Sequence, residues 1–171
     1  VIAGMCENYN VDTTRIYITG HSNGGQMTGL LAQLRPGTYA AAANVGGMFG
    51  AGEELPEAND VMIPYFGIAG RYDLGNQGVY EEGQSGYNDI QMRLALNGMS
   101  DVVAETKDTG SYLLVTYRGT DQRVPMVQYL SNHNFHHSYT PQYAWMLWDE
   151  FFSDFSRGED GTLYYRGTPA V

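Results

Sequence analysis

One segment constrains the fold of this 171-residue chain more than any other: Ile16-Tyr17-Ile18-Thr19-Gly20-His21-Ser22-Asn23-Gly24-Gly25. Its first four residues are β-branched or aromatic and follow a polar turn, Val11-Asp12-Thr13-Thr14-Arg15, so they read as a short buried strand. Beyond the glycines, Met27, Leu30, Leu31 and Leu34 recur at helical spacing until Arg35-Pro36-Gly37 ends the pattern. A helix over 26–34 is therefore predicted, joined to the strand through Gly20-x-Ser22-x-Gly24. That pattern is common by chance, and the strand-to-helix context is what gives it weight. Such a turn lifts the serine hydroxyl above the sheet edge and aims the Asn23 N–H, at the helix start, where a developing oxyanion would sit.

The same alternation continues downstream. Residues 1–10 read as the end of a helix, 39–45 and 62–69 as strands, and 87–96 as a helix with Ile90 and Leu94 on one face. Residues 112–117 and 124–130 read as a hairpin about Arg118–Arg123. The strongest helical periodicity covers 141–155, where Ala144, Leu147, Trp148, Phe151, Phe152 and Phe155 share a stripe behind Pro141. Strands alternating with helices predict a parallel α/β sheet. The segments 46–60 and 70–86 read as long loops, with Glu53, Glu54, Glu57, Glu81 and Glu82 solvated.

Composition narrows the partners. Nine basic against nineteen acidic residues, a net charge of −10, oppose binding to a phosphate backbone. No apolar run reaches the ~18 residues of a membrane-spanning helix. The lone Cys6 cannot build a disulfide framework. No basic-then-apolar leader follows Val1, and the chain is expected to be processed or to be a piece of a longer protein.

A serine hydroxyl needs a base to take its proton and an acid to orient that base. In the nucleophile-elbow arrangement the order along the chain is Ser, acid, His. Gly70-Arg71-Tyr72-Asp73 places a carboxylate just past the 62–69 strand, where α/β sites collect, and Asp73 is the expected acid. Asp89, Asp101, Asp108 and Asp121 are less well placed. Three of the four histidines lie in Asn132-His133-Asn134-Phe135-His136-His137, and spacing alone leaves all three open as the base. The cluster lacks a partnering Glu or Cys, so neither a metal nor another cofactor is expected. Flat tyrosine rings near these positions, Tyr72, Tyr80, Tyr87, Tyr139 and Tyr143, suit a substrate rim. His21, beside Ser22, has a structural role open to it as well as a place with Tyr72 and Tyr139 against the substrate.

The run Val11 to Gly25 resembles the elbow of the polyhydroxybutyrate-depolymerase/feruloyl-esterase-like branch of the α/β-hydrolases. The carboxyl end is similar too: His137-Ser138-Tyr139-Thr140-Pro141, then Trp148-Asp149-Glu150-Phe151-Phe152. In that branch the catalytic His stands four residues before a Pro and a helix with a Trp-x-x-Phe-Phe core. This likeness, spanning Val11 to Arg157, selects His137 as the base. It implies an α/β-hydrolase fold, a parallel sheet flanked by helices, lacking the amino-terminal strands because the elbow arrives so early. The whole of 1–171 is then one domain, the carboxyl-terminal half of the fold. An unpaired sheet edge and only one oxyanion donor, Asn23, are expected. A missing donor costs a factor of ~10²–10³ in rate, so the isolated chain is expected to be slow.

The resemblance implies a serine carboxylic-ester hydrolase using Ser22, Asp73 and His137. Its substrates would be acyl or feruloyl esters of polysaccharides, or hydroxyalkanoate polyesters. It also favours a secreted or periplasmic location, with a cytoplasmic one still open. Two other readings stay open: a prolyl-oligopeptidase-type peptidase, and a noncatalytic relic of the fold used for binding.

Overall fold

The computed structural model describes residues 1–48 and 55–170, so Glu53 and Glu54 lie outside the described residues. In chain order the elements are α1 (Ile2–Asn8), β1 (Tyr17–His21), α2 (Asn23–Leu34), β2 (Ala41–Val45) and β3 (Tyr65–Gly70). There follow α3 (Ser85–Leu96), β4 (Glu105–Asp108), β5 (Tyr112–Arg118), β6 (Pro125–Asn132) and α4 (Pro141–Glu150). Three short strands close the chain: β7 (Phe155–Arg157), β8 (Leu163–Tyr165) and β9 (Thr168–Pro169).

Six strands form one sheet in the order β1-β2-β3-β6-β5-β4. The first four run parallel, and the β5–β6 hairpin and β4 add an antiparallel margin. β2 and β3 are buried at every position, which is why Ala41-Ala42-Ala43-Asn44-Val45 shows no polar alternation. Among the described residues β1 is partnered only by β2, and it is half-buried. The parallel strands all point their carboxyl ends the same way, and the loops after β1, β3 and β6 therefore meet on one rim.

The structure revises several sequence expectations. α2 begins at Asn23 rather than at 26, and the face it buries is Gly25, Thr28, Gly29 and Ala32. Met27, Leu30 and Leu34 are exposed. Small residues win because α2 must lie close on the alanine-rich β2 and must admit the Arg93 guanidinium, whose Nη1 donates to Gly29 O at 3.0 Å. Arg93 also donates to Asp89 Oδ1 at 2.9 Å and lies over the Tyr65 ring, while Tyr65 Oη donates to Asp89 Oδ2 at 3.0 Å. Burial pushes the Asp89 carboxyl up, and Arg93 and the Tyr65 hydroxyl oppose that by favouring the carboxylate.

The helix predicted over 141–155 stops at Glu150, and Phe155 opens β7 instead. Ala144 and Trp148 fall outside the buried face, which is built from Tyr143 and Leu147 and prolonged by Phe151, Phe152 and Phe155. Arg157 explains the stop. Its guanidinium donates to Tyr39 O, Met62 O and Gly161 O at 2.9, 2.7 and 2.9 Å, so the chain must turn back under the starts of β2 and β3. This carboxyl-terminal sheet braces the end of the main sheet opposite the rim.

Candidate active site

Ser22 sits between β1 and α2 with φ 57° and ψ −119°, a conformation that costs a non-glycine residue about 1–3 kcal/mol. Backbone bonds hold it there: Ser22 N–H donates to Val45 O at 2.9 Å, and Gln26 N–H donates to Ser22 O at 3.0 Å. The elbow is packed backbone on backbone. A Cβ on Gly20 would lie 2.4 Å from the Gly24 carbonyl carbon, and one on Gly47 would lie 2.4 Å from Ser22 O. Gly24, the last residue of the sequence pattern, has nothing within 4 Å of its own missing Cβ. The glycines the turn requires are therefore Gly20, Gly25, whose Cβ would lie 2.3 Å from Asn44 Oδ1, and, from a distant loop, Gly47. Asn44 locks that loop, its Oδ1 accepting the Gly47 N–H at 3.0 Å.

Asp73 follows β3 in a turn closed by Asp73 N–H on Gly70 O at 3.0 Å. Its side chain is 1% exposed. Oδ1 accepts from Leu74 N–H at 2.7 Å and from His137 Nδ1 at 2.7 Å. With a carboxylate on Nδ1 the ring proton resides there, leaving Nε2 to accept from a hydroxyl. Ser22 Oγ lies 2.9 Å from that Nε2. The three residues expected from the sequence thus form one hydrogen-bonded line at the carboxyl ends of β1, β3 and β6. The His137 ring is 27% exposed, open enough to meet a substrate. Asn23 is the first residue of α2, so its N–H belongs to the unpaired donors of that helix start.

The three clustered histidines diverge. His133 Nδ1 lies 3.2 Å from Gly110 O, at the β4–β5 turn. The His136 ring faces Tyr72 at 5.3 Å, and only His137 enters the line with Ser22. No group of three His, Cys, Asp or Glu is placed to hold a metal ion among the described residues. The loop that carries His137 is seated by another loop: Tyr72 N–H donates to Phe135 O at 3.0 Å and Arg71 N–H to Asn132 O at 2.7 Å. A Cβ on Gly70 would come within 2.3 Å of Phe135 O.

The His21 ring lies beside that of His137, centroids 4.7 Å apart and planes tilted by 34°, and 6.2 Å from the Tyr139 ring. Burial, and then the neighbouring His137, hold its imidazole below the usual histidine range. Its Nε2 is buried with no partner among the described residues. Tyr72 and Tyr139 are exposed; the Tyr72 ring lies 5.3 Å from that of His136, and the Tyr139 ring borders His21. The other tyrosines do not join them. Tyr80 packs on Tyr87 and Tyr129 and bonds the Tyr117 hydroxyl, and Tyr143 is buried beneath Phe135 and Tyr139.

Sequence reasoning missed Gln77 and Asn44. Gln77 Nε2 donates to Leu74 O at 3.0 Å while its Oε1 accepts the Met48 N–H, tying the acid's turn to the loop after β2. Nothing in the sequence marks Gln77. Asn44 carried a signal, a lone amide inside an otherwise apolar strand.

The parallel sheet, the strained serine between strand and helix, and the order Ser, Asp, His decide the architecture. The fold is that of an α/β-hydrolase. Solved structures agree: this chain superposes on the acetyl xylan esterase from Aspergillus awamori with a TM-score of 0.60 at 16% identity, covering 89% of this chain and 64% of that one. A thermostable esterase gives 0.55 at 20% identity, covering 91% and 35%. In sequence, the chain is 28% identical over 130 residues to poly(3-hydroxyalkanoate) depolymerase C of Paucimonas lemoignei, 71% of this chain and 30% of that protein. Residues 1–52 match the prolyl oligopeptidase family. The chain thus spans about a third of the length of the curated relative it matches, and the two solved structures carry the name esterase.

Proposed function

We propose that this α/β-hydrolase is a serine carboxylic-ester hydrolase. The unbroken line Asp73–His137–Ser22 carries the reading. His137 Nε2 takes the Ser22 proton as Oγ attacks the ester carbonyl, and the Asn23 N–H stabilises the oxyanion. His137 then protonates the departing alcohol oxygen, leaving an acyl-enzyme on Ser22. Water, deprotonated by the same ring, releases the acid. Asp73 fixes the tautomer and steadies the imidazolium throughout. His21, Tyr72 and Tyr139 border the substrate. The similarity to a polyhydroxyalkanoate depolymerase and to an acetyl xylan esterase supports hydroxyalkanoate polyesters or acyl esters of polysaccharides as the substrate class.

A second reading rests on the match of residues 1–52 to the prolyl oligopeptidase family: the same line of groups could cleave a peptide bond. Both readings, unlike a noncatalytic one, require a reactive serine. A fluorophosphonate probe should label Ser22 and fail to label Ser22→Ala. Absence of labelling in the wild-type protein overturns both. Turnover of a short-chain nitrophenyl ester without turnover of a prolyl anilide selects the esterase.

A further inference from the structure

The rim continues past the triad into a cavity of about 390 Å³ lined by Arg71, Tyr72, Asp108, Leu113 and His133. It lies over the carboxyl ends of β3 and β6 and the β4–β5 turn. Two strand positions separate β3 from β5, and two separate β1 from β3. At roughly 4.8 Å per interval the cavity extends from about 10 Å to about 20 Å from Ser22. Tyr72 joins the two places, since its ring packs on His136 beside the catalytic base.

Arg71 gives this cavity its chemistry. Arg15, Arg93, Arg118, Arg123 and Arg166 have carboxylate partners and Arg157 is bound by carbonyls, whereas Arg35, Arg71 and Lys107 have no carboxylate partner among the described residues, and of these three Arg71 lines this cavity. Arg71 has no carboxylate partner among the described residues, and one contact, 3.5 Å from Nη1 to Gly78 O, is its sole side-chain bond. At least four of its five donors are therefore unused. The acid of the cavity does not take them. Asp108 accepts the Gly110 N–H at 2.8 Å within its own hairpin turn and stands 4.0 Å from His133 Nδ1. A planar, permanently charged fork against a tyrosine ring and a leucine suits a carboxylate carried on a less polar chain.

Resting on the ester-hydrolase reading, we infer that this cavity is a distal subsite that binds a carboxylate on an oligomeric ester through Arg71. The carboxylate could be the free end of a hydroxy-acid oligomer or a uronic acid on an acylated saccharide. The distance from Ser22 excludes short esters from using it.

The test measures binding to the Ser22→Ala protein, so that turnover does not intervene. Two ligand pairs are titrated calorimetrically: a linear 3-hydroxybutyrate tetramer as free acid and as methyl ester, and a xylo-oligosaccharide with and without a uronic acid branch. In one pair the acidic member should bind about tenfold or more tightly, the range of a charge-assisted hydrogen bond. Adding Arg71→Gln should reduce that preference to within about twofold, and Arg71→Lys should keep part of it. The responding pair identifies the source of the carboxylate. Equal binding of acid and neutral forms in both pairs overturns the inference, as does a preference that survives Arg71→Gln. Both results leave the ester-hydrolase reading intact when Ser22 still reacts with the phosphonate probe. Loss of that reaction sinks the hydrolase reading and with it the cavity's role as a substrate subsite, whatever the titrations show.

Discussion

Ser22 and His137, the proposed nucleophile and base, are held in opposite ways. Ser22 is fixed by backbone: a strand before it, a helix after it, and two glycines, Gly20 and Gly47, that let chains touch where a Cβ would collide. His137 stands on a loop with no regular structure of its own, seated by the loop after β3 through Arg71, Tyr72 and Gly70. One is a rigid turn, the other a docked segment. A rigid turn should fail as a fold, whereas a docked segment should fail as a catalyst.

Gly47→Ala should have the largest effect. The new Cβ would meet Ser22 O at 2.4 Å and Gln26 N at 2.7 Å, backbone atoms that cannot rotate away. A loss of about 3 kcal/mol or more is expected in urea denaturation, together with loss of the proposed esterase activity. A variant with wild-type stability would break the claim that backbone packing builds the elbow. Gly70→Ala should divide the two properties. Its Cβ would press on Phe135 O and His136 O, and the His137 loop can shift as a unit. A fall in kcat of about 100-fold is expected for a base displaced by about 1 Å, with a smaller change in stability than Gly47→Ala gives. Equal damage to stability from both would erase the distinction.

His21, beside the docked base, gives a pH signature. Its pKa is lower folded than unfolded, so between those values the unfolded chain binds the extra proton and stability falls with falling pH. The melting temperature of the wild type minus that of His21→Gln should therefore decrease from pH 7.5 to pH 5. A difference that is flat or rises overturns the reading of His21 as held neutral by its surroundings. The smallest effect belongs to Gly24→Ala. This residue is exposed, with open space around it and helical neighbours, so alanine should be neutral or stabilise by up to about 1 kcal/mol. Activity should survive, although the substitution destroys the sequence pattern that first marked the site.

What could be read in the sequence follows the same division. The elbow was legible because it is local: strand, serine and helix are contiguous, and the alternation of elements gave the parallel sheet. Asp73 was legible for a related reason, a carboxylate at the end of an apolar strand. His137 could not be separated from His133 and His136 by spacing, because the choice is made by the loop after β3, and only the family resemblance singled it out. Met27, Leu30 and Leu34, whose helical spacing marks α2, are exposed. Periodicity reports which residues share a face, and the approach of β2 and Arg93 determined which face was buried. The end of α4 was hidden likewise, since Arg157 turns the chain through carbonyls of residues far away in sequence.

The bond between Ser22 and His137 joins residues 115 apart, and that between Asp73 and His137 joins residues 64 apart. Closing loops of that length carries a chain-entropy cost that local hydrogen bonds cannot repay before the sheet itself is assembled. The aligned Ser–His–Asp line therefore belongs among the late events of folding and the early losses of unfolding. Chemical reactivity of Ser22 would then serve as a clock for completion of the sheet from β1 to β6, while circular dichroism could register helices and strands long before that moment.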